Sequence, residues 1–424
     1  MIDLINKIFS NSEDLNNKKS SFKNLKKNKS ISMLFSTIEN YSEKSEIRYV
    51  GGCVRKILSN EKIDDIDFAV NLNPNECIEA LNNNNIKYYE TGIDHGTITV
   101  IIENDKFEIT SLRKDLKSDG RHAKVLFSRS WHEDAARRDF TFNSIYSDID
   151  GNLYDPYNGK KDLEIGKIKF IGDIEKRIKE DYLRILRYVR FFINYSKLEH
   201  NEEVKKIIKK NINGISNISS ERLIDEFKKI IKSKNFLNLF KDSFCQEIIQ
   251  LVFPQFKNFE LFKRLNNFAK KKITDIDYVL LISLMIIDDS DNADYFLYKF
   301  NFSNPDKKRI LFLKKTYSEK DIKNFFSEKS LLKILYYNGK KSLEDLLYFE
   351  IFKSKSSNKK LINLIDFFKN KEAPIFPIKA KNLMEKYNIS EGKQLGIKLK
   401  KIEEKWISNN FNVSEKEINE IIKN

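Results

Sequence analysis

The chain has 424 residues and a net charge of +15, with 77 Lys and Arg against 62 Asp and Glu. That length can bury a core in more than one domain. The basic balance points to a polyanionic partner such as nucleic acid, although richness in Lys, Asn and Ile throughout also describes ordinary solvated surface. Three scattered cysteines (Cys53, Cys77, Cys245) exclude a disulfide framework or zinc cluster and fit a reducing cytoplasm, and only four histidines argue against a histidine-rich metal hydrolase. The longest apolar run, Tyr278 to Ile287, falls far short of the roughly 20 residues of a membrane span. The N-terminus lacks the compact apolar segment of a secretion signal.

Residues 1–30 are polar and rich in Asn, Lys and Ser, and read as a short helix followed by a flexible basic arm. Residues 31–47 form a helix feeding a first strand. The stretch from Tyr49 to Val70, YVGGCVRKILSNEKIDDIDFAV, is the most informative of the chain. An apolar strand ends at Gly51-Gly52. A short helix carrying Arg55 follows, then the turn-rich Ser59 to Lys62, then a strand with Asp65 and Asp67. Residues two apart on a strand share a face, so the two carboxylates stand side by side. Hard cations such as Mg²⁺ take carboxylate and phosphate oxygens, and a pair of them can clamp both oxygens of an in-line displacement. Gly51 and Gly52 let backbone approach a triphosphate, and Arg55 offers a fixed fork to the same phosphates. A lone D-x-D is an ordinary turn and a lone Gly-Gly an ordinary hinge; the joint pattern points to nucleotidyl transfer.

GGxVR followed by DIDFAV resembles the signature of the class II tRNA nucleotidyltransferases and bacterial poly(A) polymerases, within the DNA polymerase β superfamily. One departure is Lys56, where that family has Asp after the arginine. The resemblance implies an α+β chain: a polymerase-β-like nucleotidyltransferase head with a small mixed sheet at 31–172, a neck with the base-recognition helix at 173–235, and a helical RNA-binding body and tail at 236–424.

Further along, Asn73 to Glu76 starts an amphipathic helix. Thr97 to Ile102 and Phe107 to Leu112 read as a hairpin turning at Asn104-Asp105. The superfamily implies a third carboxylate near the metals, and Glu108 on the second strand is the candidate, an ordinary strand carboxylate being the alternative. Arg113 to His122 (RKDLKSDGRH) is polar and reads as a mobile loop. It matches the family's flexible loop through Arg113, Asp115, Asp119, Gly120, Arg121 and His122.

WHEDAARRDFTFNSIY reads as helical from Glu133 to Asp139, followed by an apolar run. Its match to RRDFTxNA implies that Arg137, Arg138 and Asp139 contact nucleotide phosphates and ribose. Tyr154-Asp155-Pro156 and Asp162-Leu163 match a structural turn of the family, and Ile168 to Gly172 is a last strand or its remnant. EDYLRILRYVRF, Glu180 to Phe191, reads as helix, with Asp181 and Arg184 neighbours on one face and Arg187 next in the row. Each step of three drifts by about 60°, so Arg190 points elsewhere, toward a phosphate. The match to EDxxRxxRFxRF implies that Asp181 and Arg184 read the base edge of cytosine or adenine.

Beyond about residue 195 amphipathic helices dominate, including SSERLIDEFKKI from Ser219. Pro254, Pro305 and the Pro374/Pro377 segment interrupt them, and Leu395, Leu399, Ile402 and Trp406 form one packing stripe. The reading is a cytoplasmic, template-independent enzyme that uses CTP, ATP and two Mg²⁺ ions to add C, C and A to tRNA 3′ ends, with no membrane partner. Poly(A) polymerase activity is the nearest alternative, but TGIDHGT stands where that subgroup carries a GRRF-like element. A CC-only or A-only enzyme, a non-catalytic RNA-binding protein on the same fold, and a protein adenylylating enzyme complete the alternatives; the intact DGRH loop argues mildly for full CCA addition.

Overall fold

The computed structural model describes residues 18–117, 124–319 and 325–423. The chain divides into two compact units, Met1–Val252 and Phe253–Asn424. Among the described residues no helix is long and apolar enough to cross a membrane.

The first unit opens with helices α1 (Lys18–Lys26) and α2 (Lys29–Glu39). The arm expected at 1–30 is corrected over its described part. Phe22 and Leu25, three apart, are fully buried, and the Phe22 ring lies 5.7 Å from that of Tyr49. That burial orders a segment whose composition is polar. Residues 1–17 lie outside the described residues.

Strand β1 (Ile47–Val50) leads into helix α3 (Gly52–Leu58), and β2 (Asp67–Val70) returns antiparallel to β1. Gly51 makes the turn between β1 and α3 with φ of 69°, in the left-handed region where glycine is at ease. Helix α4 (Pro74–Asn83) starts on a capping box in which Asn73 and Glu76 each satisfy the other's backbone N–H. Strands β3 (Lys87–Gly92), β4 (Thr97–Ile102) and β5 (Asp105–Ser111) follow, with β4 and β5 as the expected hairpin.

Strands β6 (Arg113–Lys117) and β7 (Lys124–Phe127) form a separate antiparallel ribbon. The expected mobile loop is therefore a strand pair at its flanks, where backbone pairing outweighs polar composition. Asp119, Gly120, Arg121 and His122 lie outside the described residues. Helix α5 (Trp131–Ala136) precedes the short strands β8 (Tyr146–Ser147) and β9 (Leu153–Tyr154).

The main sheet has the order β3-β4-β5-β2-β1-β8-β9. It is mixed, because β2 and β5 run parallel while the other pairs are antiparallel. Tyr49, Phe68 and Phe107 are fully buried on it, with ring centroids 5.2 and 5.6 Å apart in succession.

Helices α6 (Gly159–Ile165), α7 (Ile174–Glu180), α8 (Leu183–Tyr195), α9 (Glu202–Asn211), α10 (Ser220–Ile231) and α11 (Ser243–Val252) complete the unit. The helix expected to run unbroken from Glu180 is split at Asp181, which is extended at φ −153° and ψ 103°. The boundary expected at 235/236 also shifts, since α11 belongs to the first unit and Asp242, at its head, bonds His200.

Among the described residues the regular elements of the second unit are all helices, from Phe259–Lys263 to Glu415–Lys423. Pro305 does not interrupt a helix but sits in the first turn of Asn304–Glu319, where its missing N–H costs nothing. Leu395, Leu399 and Ile402 pack with Leu383 in one apolar cluster, and Trp406 is buried.

Candidate active site

The carboxylates converge through strand register. Asp67 opens β2 and is paired in parallel register with Glu108 of β5, so the two side chains leave the same face. Asp65 lies just before β2 rather than on it, and its Oδ1 accepts from the Ile66 N–H at 3.0 Å. The Asp67 carboxyl is pushed up to about 6, first by burial and then by the negative charges of Asp65 and Glu108, with Arg138 opposing. Three acidic groups thus share one region, and the negative charge of Asp65 and Glu108 outweighs the opposing Arg138.

The Gly-Gly turn lies beside them, because Val50 is the register partner of Asp67. A side-chain carbon added at Gly51 would stand 3.8 Å from Arg138 Nη1, which places the arginine loop over this turn. Lys56, the departure from the family pattern, pairs with Asp64 in the segment leading to Asp65.

Arg137 and Arg138 follow α5, which ends at Ala136 and not at Asp139 as expected. Asp134, three and four residues earlier and 1% exposed, holds both. Arg137 Nε donates to its Oδ1 at 2.8 Å, and Arg138 Nη2 to its Oδ2 at 3.0 Å. The Tyr146 hydroxyl donates to the same Oδ2 at 2.6 Å. Burial opposes ionisation of Asp134, but the two guanidiniums outweigh it and keep the carboxyl well below its ordinary range. Sequence reasoning passed over Asp134; its i,i+3 and i,i+4 spacing to the two arginines was the available signal.

Asp139 is buried. Its Oδ1 accepts from the Phe140 N–H and Asn143 Nδ2, each at 2.8 Å, and its Oδ2 from Arg187 Nε at 2.5 Å. Again burial is overcome, chiefly by Arg187, and the carboxyl stays well below its ordinary range. Asp139 and Arg187 therefore fasten the arginine loop to α8.

Two expected phosphate ligands are engaged elsewhere. Arg55 is 7% exposed, donates to Asn143 Oδ1 and to the Tyr195 hydroxyl, and stacks 4.7 Å from the Phe191 ring centroid. Arg190 pairs with Glu226 of α10, a carboxylate 2% exposed. Neither pairing leaves a trace in local periodicity, because the partners are distant in sequence.

Asp181 and Arg184 are brought close by the α7–α8 break, and the Arg184 N–H donates to the Asp181 carbonyl at 3.0 Å. Their side chains do not pair with each other. Asp181 Oδ1 caps α8 by accepting from the Leu183 N–H, and Oδ2 accepts from Arg222 Nη2 at 2.8 Å. Arg184 Nη2 donates to the Arg137 carbonyl at 3.3 Å, and its Nη1 lies 3.5 Å from Glu180. Burial, then repulsion from Arg177, lowers its pKa to about 10. In the β6–β7 ribbon, Arg113 bonds the His95 carbonyl and Asp115 pairs in register with Val125.

Among the described residues, the side chains that bring three potential ligand atoms within 4.8 Å of one another are His200, Asp242 and Cys245, not the three carboxylates. Both ring nitrogens are already engaged, Nδ1 by the Tyr188 hydroxyl at 2.9 Å and Nε2 by Asp242 at 3.0 Å. Asp242 also accepts from the Cys245 N–H at 2.7 Å. The trio is a hydrogen-bonded cap of α11.

Comparison with known proteins agrees with this geometry. Residues 47–169 match the poly A polymerase head domain, and residues 198–260 match the probable RNA and SrmB-binding site of polymerase A. The mouse (Mus musculus) CCA tRNA nucleotidyltransferase 1, mitochondrial, is 32% identical over 93% of this chain and 89% of its own length. The chain belongs to the class II CCA-adding enzyme and poly(A) polymerase family. A CCA-adding enzyme of Lactobacillus johnsonii is also 32% identical, over 62% of this chain and 66% of its own. In fold, the chain is similar to the Bacillus stearothermophilus CCA-adding enzyme in complex with CTP, with a TM-score of 0.70 over 93% of this chain and 96% of that one at 20% identity. Membership makes the chain a nucleotidyltransferase of the metal-dependent kind, with the polymerase-β-like head and helical remainder that the motifs imply.

Proposed function

We propose that this chain adds C, C and A to the 3′ ends of tRNA, using CTP and ATP without a nucleic-acid template and releasing pyrophosphate. The observation that carries the reading is a continuous arginine loop. At one end Arg138 stands over the Gly-Gly turn and the carboxylates; at the other Asp139 is tied to Arg187 of the base-reading helix.

Asp65 and Asp67, with Glu108 beside them, are the residues that would hold two Mg²⁺ ions. The donor set fits, being all carboxylate oxygen, and Asp67 is raised by burial first and then by the negative charge of Asp65 and Glu108, which Arg138 offsets only in part. Bound Mg²⁺ supplies neutralisation of the triphosphate and activation of the terminal ribose hydroxyl. The residues of the chain position the reactants. Backbone N–H groups at Gly51-Gly52 face the phosphates, and Asp134 steadies Arg137 and Arg138 for the same task. Asp181 accepts from the exocyclic amine of cytosine or adenine, and Arg184 donates to the ring acceptor beside it. An ionised carboxylate has about four acceptor sites, so Asp181 can take the amine while keeping its Leu183 contact. Uracil and guanine present the opposite order and would leave buried polar groups unpaired, which rejects them strongly.

In the same reading the head spans 31–172, the neck continues from 173 to the end of the first unit at Val252, and the RNA-binding body and tail lie in Phe253–Asn424. Lysine-rich faces there bind the tRNA backbone, and the free buried cysteines suit a cytoplasmic enzyme.

The test is extension of a tRNA that ends at the discriminator base, with Mg²⁺, CTP and ATP. Growth by three nucleotides is expected. Long A tracts on unrelated RNA would replace this reading with poly(A) polymerase. A stop after two nucleotides would indicate a CC-only enzyme, and binding without extension a non-catalytic protein.

A further inference from the structure

Arg177 belongs to none of the motifs above. It stands on α7, four residues before Asp181, and is 8% exposed. Its Nη1 donates to the Glu180 carboxylate, and its Nη2 donates to the backbone carbonyls of both Arg137 and Arg138. These carbonyls lie just past the end of α5, at its C-cap and the residue after it, where backbone oxygens have no helical partner. A guanidinium with a rigid fork is the side chain best suited to bridge them.

Arg184 reaches for the same acceptors and meets them only at 3.3 Å (the Arg137 carbonyl) and 3.5 Å (Glu180). Both lie at the long end of the hydrogen-bond range. Two buried guanidiniums thus converge on one carbonyl and one carboxylate, and Arg177 holds the closer contacts. Without Arg177, the Arg137 and Arg138 carbonyls and Glu180 would each lose a donor, and Arg184, which already meets the Arg137 carbonyl and Glu180, is placed to take over those contacts. It would then be drawn off the position from which it meets a base.

We propose that Arg177 is a positioning residue for base selection: by saturating the Arg137 and Arg138 carbonyls and Glu180, it keeps Arg184 available to the incoming nucleotide. This rests on the reading of Asp181 and Arg184 as the base-recognising pair. The residue acts through Arg184, so its loss falls on nucleotide affinity and selectivity while the carboxylate site remains intact.

The experiment uses the full chain and a tRNA ending at the discriminator base, with steady-state kinetics for CTP, ATP and UTP. Arg177→Met keeps an unbranched stem that ends where Nε stands and removes the fork; Arg177→Lys returns a charge that reaches fewer acceptors; Arg184→Ala is the control. For Arg177→Met, KM for CTP and ATP rises about tenfold, as loss of a charged hydrogen bond would produce, while kcat changes less than about twofold. The preference for CTP over UTP narrows, and Arg177→Lys falls between the two. A lower melting temperature with unchanged KM and selectivity would show a merely structural role and overturn the proposal, as would a fall confined to kcat. If Arg177→Met does not fold, wild-type KM and selectivity in Arg177→Lys alongside an altered Arg184→Ala would overturn it equally. Unchanged selectivity in Arg184→Ala would instead strike down the base-reading role of α8 itself.

Discussion

Replacing Asp67 by Asn has opposite consequences for the metal-free protein and for the working enzyme. In the metal-free protein the Asp67 carboxyl is pushed from its ordinary 3.8 up to about 6, by burial first and by Asp65 and Glu108 next. One pKa unit corresponds to about 1.4 kcal/mol, so the shift amounts to roughly 3 kcal/mol before screening by solvent. The side chain is only partly buried, and about 1–2 kcal/mol is the reasonable share. The folded value lies above the unfolded one, so ionised Asp67 destabilises the fold. The cost is absent below about pH 4, grows as pH rises, and is complete above about pH 6. Asparagine bears no such cost. In EDTA at pH 7.5, Asp67→Asn should therefore melt above wild type, by about 2–8 °C on the usual scaling for a unit of this size. The difference should vanish near pH 4, and Mg²⁺ should narrow it at pH 7.5 by stabilising wild type alone. Circular dichroism melts across this pH range provide the assay, and nucleotide incorporation by the variant should be lost throughout. A variant less stable than wild type at pH 7.5 in EDTA, or a difference that does not change with pH, would refute the argument.

Two further outcomes follow from the arginine loop. Asp134→Ala leaves two arginines without their buried partner, so it should cost about 3–5 kcal/mol in urea denaturation and weaken CTP binding in equilibrium titration. Asp139 has its folded pKa depressed, so the stability it contributes is complete above about pH 4 and is lost in stronger acid. Asp139→Asn should melt below wild type at pH 7, with the gap closing as pH is lowered toward 2.

Much of the head could be read in advance because its signals are local. The β-branched run from Thr97 to Ile102 and the turn at Asn104-Asp105 specify a hairpin, and parallel pairing of β2 with β5 then sets Glu108 beside Asp67. Partners that lie far along the chain were not legible. Arg55 and Arg190 look like free cations in their own segments, yet Asn143 and Glu226 engage them from 88 and 36 residues away. Helical periodicity carried Asp181 into a helix, but its carboxylate caps α8 instead, a role that acidic side chains fill at helix starts. Helix α1 lies where a flexible arm is expected, because two buried apolar residues, Phe22 and Leu25, outweigh the polar composition around them.

The central claim is that one nucleotide spans the carboxylates and the α7–α8 break. A crystal structure of the protein soaked with CTP and Mn²⁺, with the metal located by anomalous scattering, tests it most directly. The account predicts metal density on Asp65 and Asp67 and the cytosine edge against Asp181 and Arg184. A cytosine bound away from that pair, or metal density remote from both carboxylates, would contradict it.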